Sequence, residues 1–234
     1  MNAIVKKDFK SYFSTPLGYL FCALFAVVIN VFFSFDNLRG GLNNIKPLIS
    51  SMIFIFSLLV PLLTMRTFSE EYKLRTDQLL LTAPVSTASV VLAKFFSVLL
   101  VCGVALLFTL PYPVIIAMFG TLPTGEIAGC YIGMFFAVAG YIAIGIFISS
   151  LTENQIMSAI ISFVIFLMIP YMDYLYALDV PVLNYIARLL NYTMRYNSNF
   201  VSGIITLPDM VYYLSVIAIF LFLTTRILEK KRYS

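Results

Sequence analysis

The chain has 234 residues, of which 61% are hydrophobic and 11% charged, and its formal net charge is +4. Soluble domains average about 45–50% apolar and about 25% charged residues, so this composition excludes a soluble globular domain. The absence of histidine removes the commonest metal ligand and general base. The three cysteines, Cys22, Cys102 and Cys130, lie far apart in apolar segments. We therefore expect neither a metal site nor catalytic residues in this chain.

Uncharged stretches predict six transmembrane helices, because a helix needs about 20 apolar residues to cross a bilayer. We expect Pro111 and Pro113 to kink or end the third span. No small-residue cleavage site follows the first span, so we expect it to be retained. The predicted fold class is all-α, a polytopic membrane protein with a single transmembrane domain over residues 1–234. The predicted spans are residues 18–35, 47–65, 90–119, 127–151, 154–172 and 210–228.

Residues 1–15 predict a basic amphipathic helix that lies in the headgroup region of the membrane. Pro16 ends this interfacial helix. Its apolar side chains have helical spacing, and its lysines fall on the rest of its surface. The residues concerned are Val5, Phe9, Tyr12 and Phe13 on the apolar face, and Lys6, Lys7 and Lys10 elsewhere.

The distribution of basic residues predicts that both termini are cytoplasmic, since cytoplasmic loops carry an excess of Lys and Arg. With six spans and the termini inside, eleven of the 15 basic residues are cytoplasmic. The four external ones are Arg39, Lys46, Arg188 and Arg195. The predicted location is the plasma membrane, with several passes through it.

The loop between the second and third spans predicts a short amphipathic helix over residues 67–84. Thr67 and Glu70 have the spacing of a capping box, and Pro84 ends the helix. On the residues alone, this helix either merely joins two spans or contacts a partner. One face carries Tyr72, Thr76, Leu79 and Leu80, and the charges around it are Glu70, Glu71, Lys73, Arg75 and Asp77.

Residues 173–209 form the predicted external segment, in which we expect short helices that dip back towards the bilayer. Tyrosine suits a membrane interface because its ring is apolar and its hydroxyl polar. The tyrosines concerned are Tyr174, Tyr176, Tyr185, Tyr192 and Tyr196.

Two further patterns concern the interior of the spans. Gly140 and Gly145 in the fourth span predict close helix packing. No ionisable residue lies deep within a span, which argues against a carrier coupled to protons or ions. The chain also lacks the Gly-x4-Gly-Lys-Ser/Thr motif, so we expect it to have no nucleotide-binding loop of that kind.

Three segments together resemble the permeases of ABC-2 type ABC transporters, and among these the permeases of gliding-motility-type systems. In the loop, the acidic pair, the paired leucines and the Pro-Val-Ser turn match the family pattern, while Arg75 stands where many relatives have glycine. The matching residues are Glu70-Glu71, Arg75-Thr76, Leu79-Leu80, Pro84-Val85-Ser86 and Lys94 in the loop, Lys7 to Phe13 and Thr15 to Tyr19 at the start, and Gly203 to Asp209 with Tyr212-Tyr213 near the end.

The resemblance implies a function: the membrane subunit of an exporter driven by a separate ABC ATPase, which would hold the ATP and Mg²⁺. The loop helix would be the coupling helix, and the N-terminal helix would brace it. The implied partners are that ATPase, a second permease chain (identical or homologous), an auxiliary membrane protein and the lipid bilayer of a bacterial cell, but no nucleic acid. The alternative is a membrane anchor or scaffold that does not transport. The implied coupling residues are Glu70, Glu71, Tyr72, Arg75, Thr76, Leu79, Leu80 and Pro84.

Overall fold

The computed structural model describes residues 1–35, 46–76, 85–118, 124–171 and 192–233, and every regular element in these residues is helical. This confirms the all-α prediction. The helices are α1 (Asn2–Ser14), α2 (Pro16–Phe33), α3 (Lys46–Thr64), α4 (Ser69–Leu74), α5 (Thr87–Leu107), α6 (Pro111–Ala117), α7 (Thr124–Leu151), α8 (Gln155–Tyr171), α9 (Tyr192–Ser198) and α10 (Leu207–Tyr233), with a 3₁₀ turn at Phe200–Ser202.

Five helical segments among the described residues are long and apolar enough to cross a membrane. They contain α2, α3, α5, α7 and α10, so the chain is a polytopic helical membrane protein. The remaining predicted span, residues 154–172, coincides with α8, which is apolar but only 17 residues long. A count of six spans therefore stays a prediction.

The third predicted span is interrupted where its prolines lie, as the sequence indicates. Helix α5 ends at Leu107, and α6 begins with Pro111 as its first residue. Proline suits that position because its fixed φ is helical and its missing N–H would have no partner there.

Helix α7 lies at the centre of the bundle, and the glycines in it allow other segments to approach closely. A Cβ atom on Gly140 would lie 2.3 Å from the Tyr192 hydroxyl oxygen, and one on Gly145 would lie 2.5 Å from Thr64 Oγ1. Side chains cannot approach so closely without displacement, so the prediction that these glycines serve packing is confirmed.

The chain passes back and forth between two ends of the bundle. We call one end the termini face; it is formed by α1, α4, the start of α5 and the end of α10. The other end, the opposite face, carries the starts of α3, α7 and α10. There Lys46 Nζ lies 3.0 Å from Glu126 Oε2, which ties the start of α3 to that of α7.

The described part of the predicted external segment packs into the bundle rather than over it. Tyr192 is 3% exposed, and Tyr196 is fully buried. The Tyr192 hydroxyl donates to the carbonyl oxygen of Ala137, and the Tyr213 hydroxyl donates to that of Tyr192 at 2.7 Å. The prediction that Tyr192 and Tyr196 face a membrane interface is therefore wrong, because the Tyr192 ring fills space beside Gly140 of α7 and the Tyr196 ring stacks on that of Phe200. Tyr174, Tyr176 and Tyr185 lie outside the described residues.

Candidate functional site

A buried lysine organises the termini face. Lys94, near the start of α5, is 4% exposed. Its ammonium lies 2.6 Å from Glu71 Oε1, donates to the carbonyl oxygen of Thr67 at 2.7 Å, and lies 3.8 Å from Asp8 Oδ2. One cation thus connects α1, α4 and α5. A buried ammonium is stable only when carboxylates and hydrogen bonds compensate its lost hydration.

An ion pair between Arg66 and Glu70 holds α4 to the end of α3. The guanidinium of Arg66 donates to both carboxylate oxygens of Glu70, at 2.5 Å from Nε and 2.9 Å from Nη2. Its Nη1 also donates to Thr15 Oγ1 at 3.0 Å, which reaches the junction of α1 and α2. This bidentate geometry fixes orientation as well as distance.

Tyr12 anchors α1 against the end of α3. Its hydroxyl donates to the carbonyl oxygen of Leu63 at 3.0 Å. Burial, with the carboxylate of Asp8 nearby, raises the pKa of the Tyr12 phenol above its ordinary value, so the hydroxyl keeps its proton and remains a donor. A Cβ atom on Gly18 would lie only 2.6 Å from the Tyr12 carbonyl oxygen, so α1 and α2 meet at close range.

The interfacial-helix residues divide as an amphipathic helix requires. The side chains of Lys6, Lys7 and Lys10 are exposed, while Phe9 and Phe13 are half-buried. The rings of Phe9 and Phe13 lie 5.1 Å apart between centroids. The location of this helix in the headgroup region stays a prediction.

The start of α4 is capped by a different helix. Ser149 Oγ, near the end of α7, accepts the backbone N–H groups of Phe68 and Ser69, each at 3.1 Å. The predicted capping box is wrong, because the Thr67 hydroxyl donates back to the carbonyl oxygen of Thr64 at 2.7 Å. Nothing near Ser149 in the sequence marks it as a cap, so sequence reasoning missed it.

The end of α4 differs from the predicted helix over residues 67–84, because the described helix stops at Leu74. Arg75 has a left-handed backbone with φ of 56°. Its N–H bonds to the Tyr72 carbonyl oxygen at 3.1 Å, and the N–H of Thr76 bonds to that of Glu71 at 3.0 Å. This pair of bonds is a Schellman motif, which favours glycine at the left-handed residue.

The predicted coupling residues fall into two groups. Glu70 and Glu71 point inward and are used in ion pairs within the chain, whereas Arg75 and Thr76 are exposed. Tyr72 is half-buried, with the Lys231 ammonium 3.5 Å from its ring centroid. Leu79, Leu80 and Pro84 lie outside the described residues.

Leu74 is an exposed residue that sequence reasoning missed. Its side chain is 63% exposed at the last turn of α4, beside Arg75. The apolar face predicted from the sequence assumes a helix that continues to Pro84. In such a helix Leu74 does not fall on that apolar face.

The end of α10 contacts the other end of the loop, next to the start of α5. Thr87 Oγ1 donates to Glu229 Oε1 at 3.4 Å, and Arg232 Nη1 donates to the carbonyl oxygen of Val85 at 3.3 Å. The C-terminal basic cluster is thus part of the termini face, and both ends of the loop are attached to the bundle.

These features define a class of protein: a polytopic helical membrane protein that holds a short helix rigidly at one face. A sequence model of the family described as "ABC-2 family transporter protein" matches residues 28–228. The chain therefore belongs to the ABC-2 family of transporters and is a membrane permease subunit. None of the curated proteins matches the chain.

Proposed function

We infer that the chain is the permease of an exporter and that α4, with the segment after it, is the contact for a separate ABC ATPase. The observation that carries this inference is the contrast between the two sides of α4. Its inner side is fixed by Lys94, Arg66 and Ser149, while its last turn is exposed. A helix that transmits displacement needs firm attachment on one side and a free contact surface on the other.

The charge of the termini face supports a cytoplasmic location, where ATP is available. Basic residues mark the cytoplasmic side of membrane proteins. Exposed basic side chains on this face come from α1, from the end of α4 and from the end of α10. They are Lys6, Lys7, Lys10, Lys73, Arg75, Arg226, Lys230, Lys231 and Arg232.

A second permease chain, identical or homologous, completes the proposed transporter. The described spans are too few for the usual pathway between two helix bundles. Helices α2 and α10 support this proposal, because only 33% and 17% of their spanning windows are buried, which leaves large apolar faces for lipid or for another chain.

The test is co-purification of the ATPase with permease variants. Leu74→Asp replaces the exposed apolar residue of α4 by a carboxylate, and Leu79→Asp/Leu80→Asp introduces two carboxylates in the following segment. Burying one leucine is worth about 1.5–3 kcal/mol, so each variant should weaken ATPase association at least about tenfold. Met118→Asp is the control, because Met118 is 79% exposed but lies on the opposite face.

The same experiment separates export from the scaffold alternative. A transporter should lose permease-stimulated ATP hydrolysis together with ATPase binding. If the wild-type chain binds the ATPase but never stimulates hydrolysis, the chain is an anchor. If Leu74→Asp and Leu79→Asp/Leu80→Asp both keep the ATPase at wild-type stoichiometry and activity, the loop is only a connector.

A further inference from the structure

A cavity with charged walls opens on the termini face. Its volume is about 560 Å³, and it lies between α1, α4 and the start of α5. Cations and carboxylates line it in equal number, so its wall favours an occupant without net charge. The six charged residues in the wall are Lys7, Arg66, Lys94, Asp8, Glu70 and Glu71.

Four of these six groups are hydrogen-bonded to one another in two pairs. Arg66 is bonded to Glu70, and Lys94 to Glu71. The carboxylate of Asp8 is different: its Oδ2 atom is buried and has no hydrogen-bond partner among the described residues. The Lys94 ammonium, 3.8 Å away, is too distant for a hydrogen bond. Beside Asp8 in sequence, the side chain of Lys7 is exposed.

The position of the cavity indicates the depth of the occupant in the membrane. Tyr12 and Arg66 line it, and they lie next to the start of α2 and the end of α3, where two apolar segments begin and end. We expect the phospholipid headgroups to lie at this level, because an apolar span begins and ends where the hydrocarbon core does. Apolar side chains of Ile4 and Val85 also line the cavity, and they can contact the glycerol and the upper acyl chains of a lipid.

We propose that this cavity binds the headgroup of phosphatidylethanolamine. The phosphate lies beside Lys7, and the primary ammonium donates a hydrogen bond to Asp8 Oδ2. A choline headgroup has the same charges but no N–H group to donate, so it leaves the Asp8 oxygen without a partner. An anionic headgroup without an amine brings a net charge into a neutral wall and also leaves Asp8 Oδ2 without a hydrogen-bond donor. The proposal does not depend on the coupling role of α4.

The experiment measures lipid preference in nanodiscs that contain the full chain with its ATPase. Phosphatidylethanolamine and its mono-, di- and trimethylated forms, with identical acyl chains, are the probes, and bound lipid is counted by native mass spectrometry. Wild-type protein should retain the first three, which have at least one N–H, about tenfold better than the trimethylated form, since a charge-assisted hydrogen bond is worth about one order of magnitude.

Variants of this chain assign the preference to the cavity. Asp8→Asn should abolish it, Asp8→Glu should keep most of it, and Lys7→Gln should weaken all four lipids alike without changing their ratio. Glu229→Gln is the control, because Glu229 pairs with Arg226 on the same face outside the cavity. Thermal unfolding of each variant checks that the fold is kept.

Several outcomes would overturn the proposal. Equal retention of all four lipids by the wild type would do so, as would an undiminished preference in folded Asp8→Asn. If the preference is present in the isolated permease but lost in the complex, a side chain of the ATPase, and not a lipid, occupies the cavity. Displacement by free phosphoethanolamine at the affinity of the lipid would show that a soluble phosphoamine, not a lipid, is the ligand.

Discussion

The ammonium of Lys94 and the carboxylate of Glu71 lie 2.6 Å apart, although the two residues are 23 positions apart in the sequence. Their side chains are 4% and 18% exposed. Through this pair helix α5 holds α4, the short helix that follows α3. The position of α4 therefore depends on an ion pair that water barely reaches.

The first prediction concerns this ion pair. Lys94→Met should destabilise the folded chain by about 3–5 kcal/mol, because it leaves a partly buried carboxylate without its partner. Lys94→Met/Glu71→Met should recover part of the loss, since Glu71 then leaves no lone carboxylate, although Asp8 still loses its cation. Denaturant unfolding in mild detergent measures both.

The exposed pair of Arg226 with Glu229 is the matched control. The side chain of Arg226 is 63% exposed, so Arg226→Met should cost only about 0–1 kcal/mol. An equal cost for Lys94→Met and Arg226→Met would mean that Lys94 is solvated and does not hold α4.

The second prediction concerns the cap that α7 supplies to α4. Ser149→Ala removes the acceptor for two N–H groups and should destabilise α4 by about 1–2 kcal/mol. Ser150→Ala is the control: its hydroxyl is also buried, but it donates to Phe147 within the same helix at 2.6 Å. Limited proteolysis between α3 and α5 should become faster in Ser149→Ala alone. Equal cleavage of the two variants would contradict the assigned cap.

The third prediction concerns the contact between α7 and the 3₁₀ turn. A Cβ atom on Gly133 would lie 2.3 Å from the ring of Phe200, whereas one on Gly103 would meet no atom within 4 Å. Gly133→Ala should therefore cost about 1–3 kcal/mol through overpacking. Gly103→Ala should be neutral or stabilising by up to about 1 kcal/mol. Thermal unfolding compares the two variants. If Gly133→Ala does not lower the stability, the 3₁₀ turn does not pack against Gly133.

The fourth prediction concerns orientation. Asn197 and Arg75 are both exposed, on the opposite face and the termini face. In intact cells an impermeant maleimide should label Asn197→Cys and not Arg75→Cys, and inverted vesicles should give the reverse. Tyr192 is unsuitable for this test because it is buried. The native cysteines give little background, since all three are buried. Labelling of Arg75→Cys in intact cells would invert the topology and remove the coupling role of the loop.

The helices of the bundle could be predicted because their signal is local. Uncharged runs place α3 at residues 47–65 and α7 at residues 127–151, and the observed helices, Lys46–Thr64 and Thr124–Leu151, start and end within three residues of these limits. Length and apolar composition alone decide whether a segment can leave water.

The details of the site could not be predicted, since they depend on contacts between distant residues. Ser149 caps a residue 80 positions away, and a serine near a helix end has no property that announces such a bond. Tyrosine fits a membrane interface as well as a core, so the burial of Tyr192 depends on Gly140 opposite it and that of Tyr196 on its contact with Phe200. The stop at Leu74 was missed because Arg75 is an unusual residue for a left-handed position.

Helix α7 has 28 residues and is therefore a rod of about 42 Å with no proline along it. Near one end its Gly133 lies against Phe200, and at the other end its Ser149 holds the start of α4. Because no proline interrupts this helix, we expect it to move largely as one body. If α4 is the ATPase contact proposed above, a displacement of α4 should reach the opposite face as a tilt or an axial shift of the Phe200 turn, within the same movement.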